Sequence, residues 1–119
     1  MKTSGKTLRI GIVGPCTAGK STLIGNLRGR GFDLRHIAQE HSYVQTMWQV
    51  IGKPDRLVYL DVSYHESLRR KNLNWTEAEY LEQVRRLQHA RRYADFYLHT
   101  DGLTPQQVAE QVMAFLAEL

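Results

Sequence analysis

Gly14-Pro15-Cys16-Thr17-Ala18-Gly19-Lys20-Ser21 fills every fixed position of the phosphate-binding pattern G-x-x-x-x-G-K-[ST]. The apolar run Leu8-Arg9-Ile10-Gly11-Ile12-Val13 leads into it and the helix-like Ser21-Thr22-Leu23-Ile24-Gly25-Asn26-Leu27 leaves it, which is the strand, loop, helix context the pattern needs. Gly14 and Gly19 reach backbone angles that a side chain forbids, so successive N–H groups can turn inward around an anion. The helix that follows aims its free N–H groups and the positive end of its dipole at the same point. Lys20 adds a mobile charge for the β- and γ-phosphates, Ser21 a hydroxyl for Mg2+, and Thr22 a hydroxyl within reach of the α-phosphate. The expectation is a nucleoside triphosphate cradle built from Gly14, Pro15, Cys16, Thr17, Ala18, Gly19, Lys20, Ser21 and Thr22.

Outward from the loop, strand-length apolar runs recur at Leu8 to Val13, Phe32 to Ala38, Leu57 to Val62 and Phe96 to Thr100, with Gly29, Gly31, Gly52, Pro54 and Gly102 at the joints. Between them stand four capping-box spacings, Ser42-x-x-Gln45, Ser63-x-x-Glu66, Thr76-x-x-Glu79 and Thr104-x-x-Gln107, each predicting a helix start. Trp75 with Tyr80 and Leu103 with Val108 are spaced as hydrophobic staples, and Pro105 suits a first helical position. Val44, Met47, Trp48 and Ile51 predict one core-facing stripe, and Val108, Val112, Phe115, Leu116 and Leu119 another. Strict alternation of strand and helix predicts an α/β fold in three α/β/α layers, with a four-stranded parallel sheet of order 2-1-3-4. Ligands of such sheets bind beyond the C-terminal strand ends, where the loop lies.

A chain of 119 residues with 42% hydrophobic content is expected to form one domain, residues 1–119, large enough for a real core. No apolar stretch approaches the roughly 20 residues of a membrane span, and residues 1–6 lead into a strand rather than a signal sequence. A cytoplasmic protein without a membrane partner is expected. The single cysteine, Cys16, has no internal disulfide partner, which suits a reducing compartment; it reads as a small filler of a variable loop position, or as a reactive thiol beside a helix N-terminus. Net charge is +4, and Arg69, Arg70, Lys71, Arg85, Arg86, Arg91 and Arg92 concentrate it in one third of the chain. Such a cluster suits either nucleic acid or nucleotide phosphates. Without aromatic platforms or a reader motif, nucleic acid is the weaker reading.

Three segments resemble the nucleoside-monophosphate-kinase-like branch of P-loop NTPases, which includes thymidylate, shikimate and dephospho-coenzyme A kinases. They are the Walker A loop itself, the strand and basic helix Leu57 to Lys71, and Arg91 to Thr104, which looks like the last strand and last helix entry of those kinases. The resemblance implies an ATP-binding, kinase-like protein in which Arg69 or Arg70 packs over the base or touches phosphates. It implies further that Arg85, Arg86, Arg91 and Arg92 meet the transferring phosphoryl group alongside Lys20. Thr100, Asp101, Gly102 and Leu103 would border the base. Each arginine also reads as part of a solvated helix face, and Arg85 has Glu82 and Glu79 as helical neighbours.

The chain departs from that family between Gly31 and Arg56, where 26 residues leave room for one strand, one helix and their turns but no acceptor-binding lobe. Either a small anionic acceptor is held by Gln39, Glu40, His41 and the lid arginines, or none is bound. Two acids compete to support Mg2+, Asp61 at the end of a Walker B-like strand and Glu40 after the second strand. Glu40 or His41 would serve as the base. Gly52-Lys53-Pro54-Asp55 only poorly imitates the Asn-Lys-x-Asp motif of Ras-type GTPases, so ATP is expected ahead of GTP, and protein-kinase motifs are absent. The five scattered histidines and lone cysteine give no expectation of a zinc site. Two classes remain: a small phosphotransferase or NTPase, and a nucleotide-binding sensor or scaffold that has lost its acceptor site. A homodimer would let a partner complete a site this chain is too short to finish.

Overall fold

The computed structural model describes residues 7–71 and 74–119, with Lys71 described by its backbone alone. The reading of residues 1–6 as a lead-in and the contribution of the Lys71 charge therefore lie outside the described residues. Four strands, β1 (Arg9–Val13), β2 (Asp33–His36), β3 (Arg56–Asp61) and β4 (Phe96–His99), form one parallel sheet in the order β2-β1-β3-β4. The described helices are α1 (Lys20–Leu27), α2 (Met47–Ile51), α3 (Tyr64–Lys71), α4 (Glu77–Arg86), α5 (Gln88–Tyr93) and α6 (Pro105–Leu116), with a 3-10 turn at Gln39–His41. The fold is the α/β, 2-1-3-4 sheet that the alternation of elements predicts.

The side-chain alternation of the two central strands divides the core between the faces. Ile10 and Ile12 of β1 and Val58 and Leu60 of β3 pack with Leu23 and Leu27 of α1 and Val108, Val112 and Leu116 of α6. On the opposite face Val13, Leu57 and Tyr59 pack with Trp48 of α2, Leu87 and Ala90 of α5. Acidic residues stitch the N-terminal strand ends together: Asp55 Oδ2 accepts from Arg9 N at 2.8 Å and Asp95 Oδ2 from Leu57 N at 2.7 Å. Those carboxylates satisfy sheet N–H groups that would otherwise lack partners.

Two of the four capping boxes form in full, at Thr76 with Glu79 and at Thr104 with Gln107, and Pro105 occupies the first position of α6. The Trp75 and Tyr80 rings meet edge to face at 5.9 Å, as the staple spacing predicts. At Ser63 only half the box forms, because Glu66 N donates to Ser63 Oγ while the Glu66 carboxylate turns to Arg69 and Arg70. The Ser42 box is a correction. Ser42 Oγ accepts from Val44 N in a local turn, and α2 starts only at Met47. Gln45 is drawn away by a distant partner: its amide donates to Arg85 O at 2.7 Å and accepts from His89 N at 3.2 Å, bridging α4 and α5. That joint at Leu87 makes α5 a separate helix, one more than the box count predicts.

The stripe prediction for residues 44–51 also needs correcting. Trp48 is buried, but Val44 lies outside α2 and Ile51 is 66% exposed. In α6 the stripe holds for Val108, Val112 and Leu116, whereas Leu119 lies beyond the helix and is exposed.

Candidate functional site

Residues 14–19 turn between the C-terminal end of β1 and the start of α1. Gly14 (φ 153°) lies so close to β3 that a Cβ on it would come within 2.0 Å of the Leu60 carbonyl oxygen. No other residue type fits there without backbone movement. Gly19 takes a left-handed angle (φ 98°) as the residue before α1, and Thr17 has a positive φ of 71°. A threonine held at such an angle is strained, a condition that clusters where loops clamp ligands.

The Lys20 ammonium folds back over this loop. It donates to Gly14 O at 2.6 Å and Pro15 O at 3.0 Å, and pairs with Glu40 Oε2 at 3.2 Å, with both side chains nearly buried (6% and 4% exposed). Glu40 reaches it from the 3-10 turn after β2. That turn is fixed by Gln39, whose buried amide donates to Val44 O and Arg86 O and accepts from Trp48 N at 2.8 Å. Gln39 is thus committed to the scaffold, and its amide is not available to hold an acceptor.

Arg70 closes the loop from the side of α3. Its guanidinium donates to Thr17 O (3.0 Å), Thr100 Oγ1 (3.0 Å) and Thr100 O (2.7 Å), while Nε meets Glu66 Oε2 at 3.1 Å. The planar fork of arginine is what permits several fixed bonds at once. Thr100 is itself anchored, its hydroxyl donating to Asp61 O at 2.8 Å.

These groups border a cavity of about 750 Å³, well within the size range of small-molecule sites. One side is polar, formed by residues 16–22 with His36, Glu40, His41, Arg70 and Thr100; the other is apolar, formed by Trp75, Leu103, Pro105 and Val108. Among the described residues, two buried side-chain polar atoms have no hydrogen-bond partner, Thr17 Oγ1 and Glu40 Oε1, and both belong to residues of this lining. Partial desolvation at the cavity wall, helped by the nearby Lys20 charge, lowers His36 below the ordinary histidine value.

The remaining sequence-predicted residues sit elsewhere. Asp61, at the end of β3, has both oxygens engaged, by Val62 N and the Tyr97 hydroxyl, and does not line the cavity. Asp101 accepts from Ser63 N at 3.0 Å and pairs with His99, and Gly102 (φ 79°) turns the chain toward α6. Arg69 is 73% exposed and held by Glu66. Arg85 is paired with Glu82, Arg91 lies over the Tyr97 ring, and Arg92 is exposed; none of the three borders the cavity. Arg86 bonds Glu82, stacks on Tyr43 and only grazes the Glu40 carbonyl. The structure therefore gathers residues 16–22, Glu40, Arg70 and Thr100, and separates them from Asp61 and the α4–α5 arginines.

His36 lines the cavity without having been marked by any motif, and Pro105 and Val108 line it having been marked only as helix-start residues. Trp75 carried only a staple signal, yet its indole N–H donates to Ser67 Oγ at 3.0 Å and docks it against α3. Among the described residues no helix is long and apolar enough to cross a membrane. No protein-family profile and no curated protein matches the chain.

Proposed function

We propose that the chain binds a nucleoside triphosphate, ATP ahead of GTP, with its phosphates in the Gly14–Ser21 loop, as a kinase-like P-loop protein. The observation that carries this reading is the convergence on one cavity of a phosphate-pattern loop, the N-terminus of α1 and the Lys20 ammonium. Lys20 now rests on carbonyl oxygens and Glu40, and a phosphate would draw it off them. Arg70, already oriented by four bonds, would stand beside the same anion without further ordering. The apolar side at Trp75, Leu103 and Val108 suits a flat base.

For Mg2+ the residues fit in part. Ser21 is exposed on the cavity wall, and Glu40 presents a buried oxygen with no partner, whereas both Asp61 oxygens are occupied. Ser21 and Glu40 would hold the ion or its waters; when bound it would neutralise charge between the β- and γ-phosphates. Phosphoryl transfer to a small anionic acceptor is the catalytic form of this proposal. One observation favours the second form, a non-catalytic or slowly hydrolysing sensor or scaffold: Arg85, Arg91 and Arg92 lie away from the cavity, and residues 31–55 form only β2, the 3-10 turn, α2 and connecting turns.

The test is to titrate ATP and GTP, each with Mg2+, against the wild type and the double variant Lys20→Met, Glu40→Gln, which removes the ammonium without stranding its counter-charge. At a hundredfold excess over Kd the wild type should gain about 2.7 kcal/mol of stability, and the double variant should gain none. No binding by the wild type at millimolar nucleotide refutes the reading. Phosphate release or transfer in the same samples separates the catalytic form from the sensor.

A further inference from the structure

The sequence offers one cysteine and scattered histidines, with no spacing that suggests a metal. The fold nevertheless brings three donors of different softness to one point. Cys16 Sγ, His41 Nε2 and a Glu40 carboxylate oxygen all lie within 4.8 Å of one another. Sγ is 4.0 Å from Nε2, and Nε2 is 3.7 Å from Glu40 Oε2. We propose that these three side chains form a binding site for a borderline-soft divalent cation, zinc by donor type, with a fourth position left open.

The geometry supports this set directly. A tetrahedral zinc with Zn–S of about 2.3 Å and Zn–N of about 2.0 Å holds sulfur and nitrogen roughly 3.5 Å apart. The observed pair needs to close by only about half an ångström from that spacing. Thiolate, imidazole and carboxylate together select zinc over magnesium, which takes oxygen ligands in octahedral geometry. Three protein donors and an open fourth position are the arrangement of zinc sites that exchange a ligand, not of closed structural ones.

A second, independent observation points to a ligand here. Glu40 is 3% exposed, and its Oε1 is one of two buried side-chain polar atoms with no partner among the described residues. The oxygen 3.7 Å from His41 Nε2 is Oε2, which Lys20 also holds, so the cation would share Oε2 with the ammonium or take the free Oε1 by a turn of the carboxylate. The donors are also held in place. Gln83 clasps Cys16 from α4, accepting from its backbone N–H at 3.0 Å and donating Nε2 to Sγ at 3.2 Å. A hydrogen bond to a ligating sulfur is the kind of outer contact that orients metal ligands. The backbone that carries His41 and Glu40 is fixed by the 3-10 turn that Gln39 secures, and Lys20 holds the Glu40 carboxylate.

The site is tested without nucleotide, so its outcome is independent of the triphosphate proposal. Chelator-treated protein is titrated with Co2+ and followed by absorption, then back-titrated with Zn2+. The wild type should bind one equivalent, with a thiolate-to-cobalt charge-transfer band and the strong visible bands of tetrahedral cobalt, both abolished by zinc. Cys16→Ser should lose the charge-transfer band, and His41→Ala should weaken binding by more than about a hundredfold. Both positions are partly or fully exposed, and circular dichroism verifies that the variants remain folded. A wild-type spectrum matching the aqua ion at excess cobalt overturns the proposal, as does a charge-transfer band that persists with wild-type affinity in His41→Ala.

Discussion

Lys20 and Glu40 show how much a single pair can decide. Both are buried, and the pair is drawn tight by two loop carbonyls on the lysine side. Removing only one member of such a pair strands a charge, whereas removing both does not. Lys20→Met alone should therefore lower unfolding free energy by about 3 kcal/mol, and adding Glu40→Gln should recover most of that loss; urea denaturation of the three proteins measures it. Equal instability of the single and double variants would mean that the loop carbonyls, not the carboxylate, are what the ammonium holds. From sequence, Glu40 and Asp61 were indistinguishable as partners of the loop. The distinction is tertiary: Asp61 is consumed by Val62 N and the Tyr97 hydroxyl, and Glu40 reaches Lys20 from the other side of β1.

At the scale of elements, local chemistry was readable where both partners lie within one turn. Thr76 and Thr104 cap α4 and α6 as their spacing predicts, and Thr104→Ala should cost about 1 kcal/mol, read as a lower melting temperature. Ser42 shows the limit, because its would-be partner Gln45 bonds residues 85 and 89, which no local window contains. The arginines divide in the same way. Glu66 and Glu82 each engage two arginines at helical spacing, which local sequence already allows, but only the packing of α3 beside the loop selects Arg70 over Arg69. Hydrogen bonds from Arg85 and then Arg86 hold the Glu82 carboxyl down to about 2 from an ordinary 4.5. A depressed acid stabilises the folded state above its unfolded value and loses that contribution as pH falls through the folded one. The melting-temperature deficit of Glu82→Gln should accordingly be full above pH 4.5 and close as pH falls toward 2.

For the whole molecule, alternation and right-handed crossovers predict a parallel sheet covered by helices, and its order is the expected 2-1-3-4, with the loop-bearing strand inside the sheet. The cavity was only half legible, because its polar side carries a motif while its apolar side is assembled from residues 75, 103, 105 and 108 by tertiary packing. Arg70 joins those two histories: its bonds reach 53 residues back to Thr17 and 30 forward to Thr100. Contacts that require both ends of the chain to be in register form late, after loop closure has been achieved. Arg70→Ala, if it removes about 2 kcal/mol of charge-assisted bonding, should speed unfolding by about thirtyfold and leave the refolding limb of a chevron nearly unchanged. The guanidinium clasp thus governs how long a folded copy persists, and has little say in how quickly a new one is made.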